Sequence, residues 1–372
     1  MKRILLIGTG GTIASDMTDG GLAPKLDSAQ LLKYVPGVRS ICEVDCISLM
    51  HVDSTDMVPM DWLTIANCIE QHYEVYDGFV VSHGTDTMAY TAAALSYLIQ
   101  QSPKPIVLTG AQRPIHMEVT DSKTNLLDAF TYACDEQACG VCIVFDGSVI
   151  LGTRARKIRT KSYSAFASIN FPELAVVQDG RVLRYIDLGY TDKPTFHHFL
   201  NDRVGLVKLI PGQDAGQLSY AFDHNDAVII ESFGVGGLPS LKRARYRDIL
   251  EEGKSKGKMV VMTTQVQNEG SNLNVYRVGR ALKEQTNVLE AFDMTTEAVV
   301  GKMMWIMGEE KEPERIAKRF YTPVSFDILT KKLHLAPQVI FQAPSDKVLH
   351  GLVPLLAMCH IEHTGFEERM RA

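Results

Sequence analysis

The sequence predicts an α/β fold of two domains built on parallel sheets, a larger N-terminal domain and a smaller C-terminal one. Three observations predict it. Short apolar runs alternate with helix-period segments along most of the chain. The 372 residues exceed one typical domain. The periodic pattern breaks between Arg181 and Asn201, where Gly189, Asp192 and Pro194 interrupt it. The expected layout is an N-terminal catalytic domain over 1–190, a linker over 191–203, a C-terminal domain over 204–330 and an extension over 331–372.

The elements follow in order. Arg3-Ile4-Leu5-Leu6-Ile7 is an apolar run that suits a buried strand, expected over 3–8. Gly20, Gly21 and Pro24 break the stretch where a helix would otherwise follow. Further strands are expected over 44–49, 77–82, 105–109 and 140–145, with helices over about 58–73, 86–100 and 121–135. In the second half, strands over 204–210, 227–231 and 258–262 alternate with helices over about 239–254, 274–284 and 295–307. Beyond Thr322 the patterning weakens, with one apolar helix expected over 348–360 and begun at Asp346.

Composition removes several function classes. A hydrophobic content of 45% is ample for packed cores, and the net charge of −6 comes without a long basic run. Nothing here favours nucleic acid or an anionic membrane as partner. The apolar segment before the first glycine is too short for a signal peptide, and no stretch reaches membrane-spanning length. Seven cysteines without regular spacing resemble neither a disulfide framework nor a zinc site, and read as reduced cytosolic thiols. Cys134 and Cys139 are a weak metal pair, with no histidine at ligand spacing.

The most informative pattern is a pair of threonines, each presented by a glycine turn after an apolar strand. Thr12 lies in Gly8-Thr9-Gly10-Gly11-Thr12-Ile13-Ala14, and Thr85 in Ser82-His83-Gly84-Thr85-Asp86-Thr87. Glycines free the backbone for a sharp turn whose N–H groups converge on one oxygen, so such a turn can hold an anion or an oxyanion. A dinucleotide fingerprint would need a third glycine where Ile13 stands. Thr85 and Asp86 fall at an expected helix start above the carboxyl end of a strand, where open α/β sheets place ligands. Helix capping is the plainer use of either residue. Together the two turns point to a site with two hydroxyls. His83 reads as a packed, hydrogen-bonded histidine, and no serine or cysteine shows a His and Asp pairing signal.

These turns resemble the two signature motifs of the bacterial-type L-asparaginases, and the chain is most similar to their cytoplasmic type I branch. Supporting segments are Val52-Asp53-Ser54-Thr55-Asp56-Met57, Leu108-Thr109-Gly110-Ala111-Gln112, Phe166-Ala167-Ser168-Ile169-Asn170, Ser232-Phe233-Gly234-Val235-Gly236 and Asp293-Met294-Thr295. The resemblance implies hydrolysis of L-asparagine to L-aspartate and ammonia, with lower activity on L-glutamine or D-asparagine, and no cofactor or metal. It implies that Thr12 attacks, that Thr85 is the second catalytic threonine, and that Asp86 and Lys157 assist. It places Ser54 and Thr55 on the substrate's α-carboxylate and neighbouring groups, with Gly11, Gly84 and Ala111 lining the substrate. Lys157 is chosen by its distance to the Phe166 motif, although Arg154, Arg156, Arg159 and Lys161 crowd the same stretch and a solvated basic face is the plain alternative. The resemblance also implies a homodimer or homotetramer in the cytoplasm, with each site shared between one protomer's N-terminal domain and its partner's C-terminal domain.

The implied chemistry suits these residue types. A neutral threonine hydroxyl attacks an amide poorly and needs a base and a route for its proton. A lysine kept from water, or set beside cations such as Arg154 and Arg156, gives up its proton more readily. Turn amides near Gly11 and Ala111 would receive the oxyanion. Leu22 departs from the pattern, because many members carry a tyrosine there, in a flap over the nucleophile. Two other readings remain. One is the ammonia-producing component of a tRNA-linked amidotransferase, which usually carries an extra N-terminal domain, whereas the first strand here starts at residue 3. The other is a non-enzymatic amino-acid sensor, opposed by the intact set of Thr12, Thr85, Asp86 and Lys157.

Overall fold

Residues 1–18, 21–24, 26–239, 245–275 and 288–329 are described by the computed structural model. The first strand, β1 (Arg3–Gly10), shows how they are layered. Ile4, Leu5, Leu6 and Ile7 have no exposure at all, so both faces of the strand are covered. Because side chains alternate along a strand, Ile4 and Leu6 enter one apolar core while Leu5 and Ile7 enter another.

After β1 the chain forms a hairpin of β2 (Ser15–Thr18) and β3 (Gly21–Pro24), where the sequence excludes a helix. The short helix α1 (Ser28–Lys33) starts at Asp27, whose side chain accepts from the Gln30 amide while the Gln30 side chain accepts from the Asp27 amide. There follow β4 (Glu43–Val52), α2 (Pro59–His72), β5 (Gly78–Ser82), α3 (Met88–Leu98), the two-residue β6 (Ile99–Gln100), β7 (Pro105–Thr109), α4 (Ser122–Ala133) and β8 (Gly140–Phe145). Strands β4, β1, β5, β7 and β8 lie side by side and parallel, as the alternating pattern predicts.

The large sheet is not parallel throughout, and this corrects the sequence reading. Beyond β8 it continues through β9 (Ser148–Leu151), β12 (Ala175–Gln178) and β13 (Arg181–Arg184), each antiparallel to its neighbour. Asp146-Gly147 and Asp179-Gly180 close two of these pairings as two-residue loops. All four residues have φ between 50° and 76°, the left-handed geometry whose twist matches a hairpin. The segment at Arg181, where the periodic pattern breaks, is an edge strand of the first sheet. A separate hairpin joins β10 (Ala155–Lys157) to β11 (Phe166–Ser168), and β14 (Thr195–Phe196) pairs with β6.

The second sheet is parallel, in the order β15 (Val204–Lys208), β16 (Ala227–Ser232), β17 (Met259–Thr264) and β18 (Leu289–Glu290). Helices α5 (Gly216–His224) and α6 (Tyr246–Ser255) cover one face. The start of the helix expected over 239–254, most of the one over 274–284, and the one over 348–360 lie outside the described residues. Helix α7 (Thr296–Glu309) covers the other face, and α8 (Pro313–Tyr321) packs beside it. The sequence reading did not anticipate α8, although Pro313 in its first turn and buried Ile316 and Phe320 one turn apart are its signals. No described helix is long and apolar enough to cross a membrane.

The two sheets share one core. Helix α3 is buried along almost its whole length because α7 of the second unit packs on the side away from the large sheet. Ala92, Ala93 and Ala94 allow the close approach. A Cβ on Gly301 would lie 3.3 Å from the Ala94 amide nitrogen and 3.4 Å from the Tyr97 ring. Below this crossing Lys302 and Asp327 form a wholly buried ion pair at 2.7 Å, and Tyr97 donates to Asp327 at 2.9 Å. Leucine has the better helix propensity, yet Gly301→Leu should lower the unfolding free energy by about 1–3 kcal/mol through overpacking. Urea titration checks this; a variant as stable as the parent would mean that the crossing has slack.

Candidate active site

The carboxyl ends of β1, β4, β5 and β7 meet where two backbones touch. Gly11 has φ 80°, and a Cβ built on it would lie 2.3 Å from the Gly84 amide nitrogen. No side chain fits there. A Cβ on Gly84 would in turn lie 2.5 Å from the Ser54 hydroxyl. Each candidate threonine is the residue after one of these glycines, so the contact of Gly11 with Gly84 brings Thr12 and Thr85 to adjoining places. Thr9 strengthens the junction by donating to the Ser82 carbonyl at 2.9 Å, and Thr87 holds Ser54 by donating to its carbonyl at 2.7 Å. The Thr12 hydroxyl makes no hydrogen bond among the described residues.

Lys157 completes the group from the far side. Its Nζ donates to Thr85 Oγ1 at 2.7 Å and to Asp86 Oδ1 at 2.6 Å. The lysine side chain is 15% exposed and the aspartate 58%, so the pair sits at the mouth of the site rather than in the interior. Asp86 is thus not the cap of α3, which begins at Met88. The expected crowding of Lys157 by Arg154 and Arg156 does not occur, because neighbouring residues on a strand face opposite ways. Arg156 turns to Glu297, 3.8 Å away, a glutamate whose carboxyl burial pushes up. Arg154 is fully buried and donates to the Phe326 carbonyl at 2.7 Å and the Asp293 carbonyl at 2.9 Å. Its Nη2 also lies 2.9 Å from Asp293 Oδ2, in ionic contact but out of line for a hydrogen bond.

The amide groups divide into spent and free. Gly11 donates its own N–H to the Val52 carbonyl at 3.2 Å, so that amide is spent. The amides of Gln112 and Arg113 are taken by Asp121, at 2.9 and 3.1 Å. Those of Gly84, Thr85 and Ala111 have no partner among the described residues. Thr55 is more constrained than its motif implies: both its amide and its hydroxyl donate to Asp53, at 2.9 and 2.8 Å. Sequence reasoning missed Gln112, which accepts from Thr85 Oγ1 at 3.4 Å and ends the Leu108–Gln112 motif without carrying a role there. Leu22 sits in β3, in backbone register with Met17 of β2.

His83 underlies the junction. Its Nδ1 is 2.7 Å from the Gly84 carbonyl, which can only accept, so Nδ1 carries the hydrogen and Nε2 accepts from the Thr91 hydroxyl at 2.9 Å. Complete burial pushes this histidine down to about 4.

Comparison with known proteins gives a consistent picture. The family model described as Asparaginase, N-terminal, matches residues 3–187, and that of the Glutaminase/Asparaginase C-terminal domain matches residues 203–320. An L-asparaginase of Thermococcus kodakarensis is 36% identical over 321 residues, covering 85% of this chain and 96% of that protein. The solved structure of the thermostable L-asparaginase from the same organism superposes with a TM-score of 0.83 at 35% identity, over 88% of this chain and 99% of that one. L-asparaginase 1 of Escherichia coli is 32% identical over 328 residues, 85% of this chain and 95% of that protein. A glutamyl-tRNA(Gln) amidotransferase subunit of Pyrococcus abyssi is 33% identical over 348 residues, 88% of this chain and 77% of that protein.

The burial of His83 has a consequence for acid stability. Its folded value of about 4 lies below the ordinary 6.5, so its contribution is complete above pH 6.5 and is lost as pH falls toward 4. Fully expressed, it amounts to about 3 kcal/mol. Asp128, pushed up to about 6 by burial and by Asp146, acts in the opposite sense over the same window. Comparing parent with His83→Gln isolates the histidine. The variant's unfolding free energy should fall less steeply between pH 6 and 4.5, by about 1 kcal/mol per pH unit, in urea titrations at several pH values.

Proposed function

The chain belongs to the asparaginase family of amidohydrolases, and from that premise we propose that it is an L-asparaginase acting through Thr12. The observation that carries the proposal is Lys157 Nζ donating to both Thr85 and Asp86 beside the contact of Gly11 with Gly84. Asparagine lies with its side-chain amide carbon at Thr12 Oγ1 and its α-carboxylate toward Ser54. As Thr12 attacks, its proton passes to Thr85, whose own proton passes to Lys157 in its neutral form. Asp86 holds the amine in place and stabilises the ammonium that results. The amides of Thr12 and Ala111 receive the oxyanion, each pre-formed donor lowering the barrier by about 3–4 kcal/mol. Lys157 returns the proton through Thr85 to the amide nitrogen as the tetrahedral intermediate collapses, so that ammonia leaves and an aspartyl ester remains on Thr12. Water then attacks the ester while giving its proton to Lys157 along the same path, and the departing Thr12 oxygen takes that proton back.

L-glutamine is one methylene longer, a difference that pockets of this kind discriminate by about 10- to 200-fold, so it is the slower substrate. A cytoplasmic homo-oligomer is the setting that fits the family. The similarity to the archaeal amidotransferase chain favours a second reading, in which the ammonia is handed to a partner enzyme. The two separate in one assay: the purified chain alone, given free L-asparagine, L-glutamine or D-asparagine. Asparagine should be the best substrate with no partner added. Thr12→Ala, Thr85→Val and Lys157→Met should each lower kcat by about 10³-fold or more, because members of such a unit are lost together. Ordinary ammonia release from the two threonine variants would overturn the assignment, and turnover only with an amidotransferase partner would favour the second reading.

A further inference from the structure

We infer that Asn125 is a positioning residue for the Ala111 amide, holding that N–H on the oxyanion, an inference that rests on the mechanism just proposed. The chain leaving β7 presses against the second threonine turn at Gly110, where a Cβ would lie 2.2 Å from the His83 carbonyl oxygen. Only glycine fits there, and glycine leaves the peptide plane that follows it free to turn. That plane carries the Gly110 carbonyl on one edge and the Ala111 N–H on the other. The peptide is trans, so the two point in opposite directions. Asn125 Nδ2, on α4, donates to the Gly110 carbonyl at 3.0 Å. The Ala111 N–H is thereby aimed away from α4, and it has no partner among the described residues. A donor on the carbonyl also polarises the peptide, which strengthens its N–H as a donor in turn.

Asn125 itself is fixed on every side. It is buried, its Nδ2 also donates to Asp121 Oδ2 at 3.2 Å, and its Oδ1 accepts from the Asp146 amide at 2.9 Å. Turning the side-chain amide over would set its oxygen against a carbonyl and a carboxylate and its NH₂ against an N–H, so all three partners agree on one orientation. Asp121 takes the next two amides along the chain, those of Gln112 and Arg113, at 2.9 and 3.1 Å. Of the three amides that follow Gly110, two are therefore anchored and the first is held out for the substrate. None of these bonds uses a proton of the path through Thr12, Thr85 and Lys157, so Asn125 acts on the oxyanion alone.

The test is Asn125→Leu, which keeps the shape of the side chain and removes its hydrogen bonds, with Asn125→Ser, too short to reach Gly110, as a second variant. Each is assayed below its own thermal midpoint. With L-asparagine, kcat should fall about tenfold or more, short of the roughly 10²–10³-fold cost of losing an oxyanion donor outright, and KM should stay within about threefold. Two inhibitors separate positioning from a general loosening of the pocket. The aldehyde analogue of asparagine, with CHO in place of the side-chain amide, adds the Thr12 O–H across its C=O and sets the hemiacetal oxygen at the Ala111 amide. L-2-aminobutyrate has the same α-groups and no oxygen for that place. The Ki of the aldehyde should rise by the factor that kcat/KM falls, with the Ki of L-2-aminobutyrate within about twofold of the parent. A parental kcat in a folded variant overturns the inference, and so does an equal rise in both Ki values, which would mean that Asn125 only shapes the pocket. Failure of both variants to fold overturns it as well, by making Asn125 a residue of the fold. Thr12→Ala tells the two levels apart: if that variant turns over normally the proposed mechanism fails, and if it is inactive while the Asn125 variants keep the parental kcat only the role of Asn125 fails.

Discussion

A guanidinium with no access to water cannot be left unpaired, and Arg154 makes that demand at the seam between the two sheets. An uncompensated buried charge costs several kcal/mol, so the carbonyls of Asp293 and Phe326 and the carboxylate of Asp293 have to be where they are. Thr153 adds a bond to the Ser325 carbonyl at 2.6 Å, and Thr295 donates back to the Thr153 carbonyl at 3.2 Å. Two successive residues of the first unit are thus gripped by the second, and two residues later Arg156 faces Glu297. Lys157 is the next in line. Its amine bonds to Thr85 and Asp86 of the first unit, yet the second unit fixes the backbone that delivers it.

The two glycine turns are legible in the sequence because they combine a steric need with a chemical one. Gly11 and Gly84 admit no side chain at their contact, and the residues after them are hydroxyl-bearing. The parallel strands are legible for a related reason: strands covered on both faces are continuous apolar runs, as Ile4 to Ile7 and Phe79 to Val81 are. Lys157 is less so. Nothing local distinguishes it from Arg154, Arg156, Arg159 or Lys161, and only the strand alternation and the partners across the site separate them.

The antiparallel half of the large sheet has its own marks in the sequence, but faint ones. Asp146-Gly147 and Asp179-Gly180 are strong hairpin signals, whereas the strands they join are short and adjoin a long parallel pattern that masks them. Helix α8 escapes sequence reasoning because its apolar face is only two residues deep, Ile316 and Phe320, within an otherwise charged segment. Gln112 escapes it for another reason. It meets three partners from distant parts of the chain, Thr85, Arg159 and Ser162, and no spacing rule reports such a meeting.

Helix α3 carries one more consequence, for the order in which the protein is made. It has no polar face, because the large sheet covers one side and α7 the other, and α7 is encoded some two hundred positions later. A ribosome adding about 5–20 residues per second leaves that apolar surface waiting roughly ten to forty seconds for its cover. Until then the nascent N-terminal half is a client for holding chaperones, and a chain cut between the two sheets would remain one.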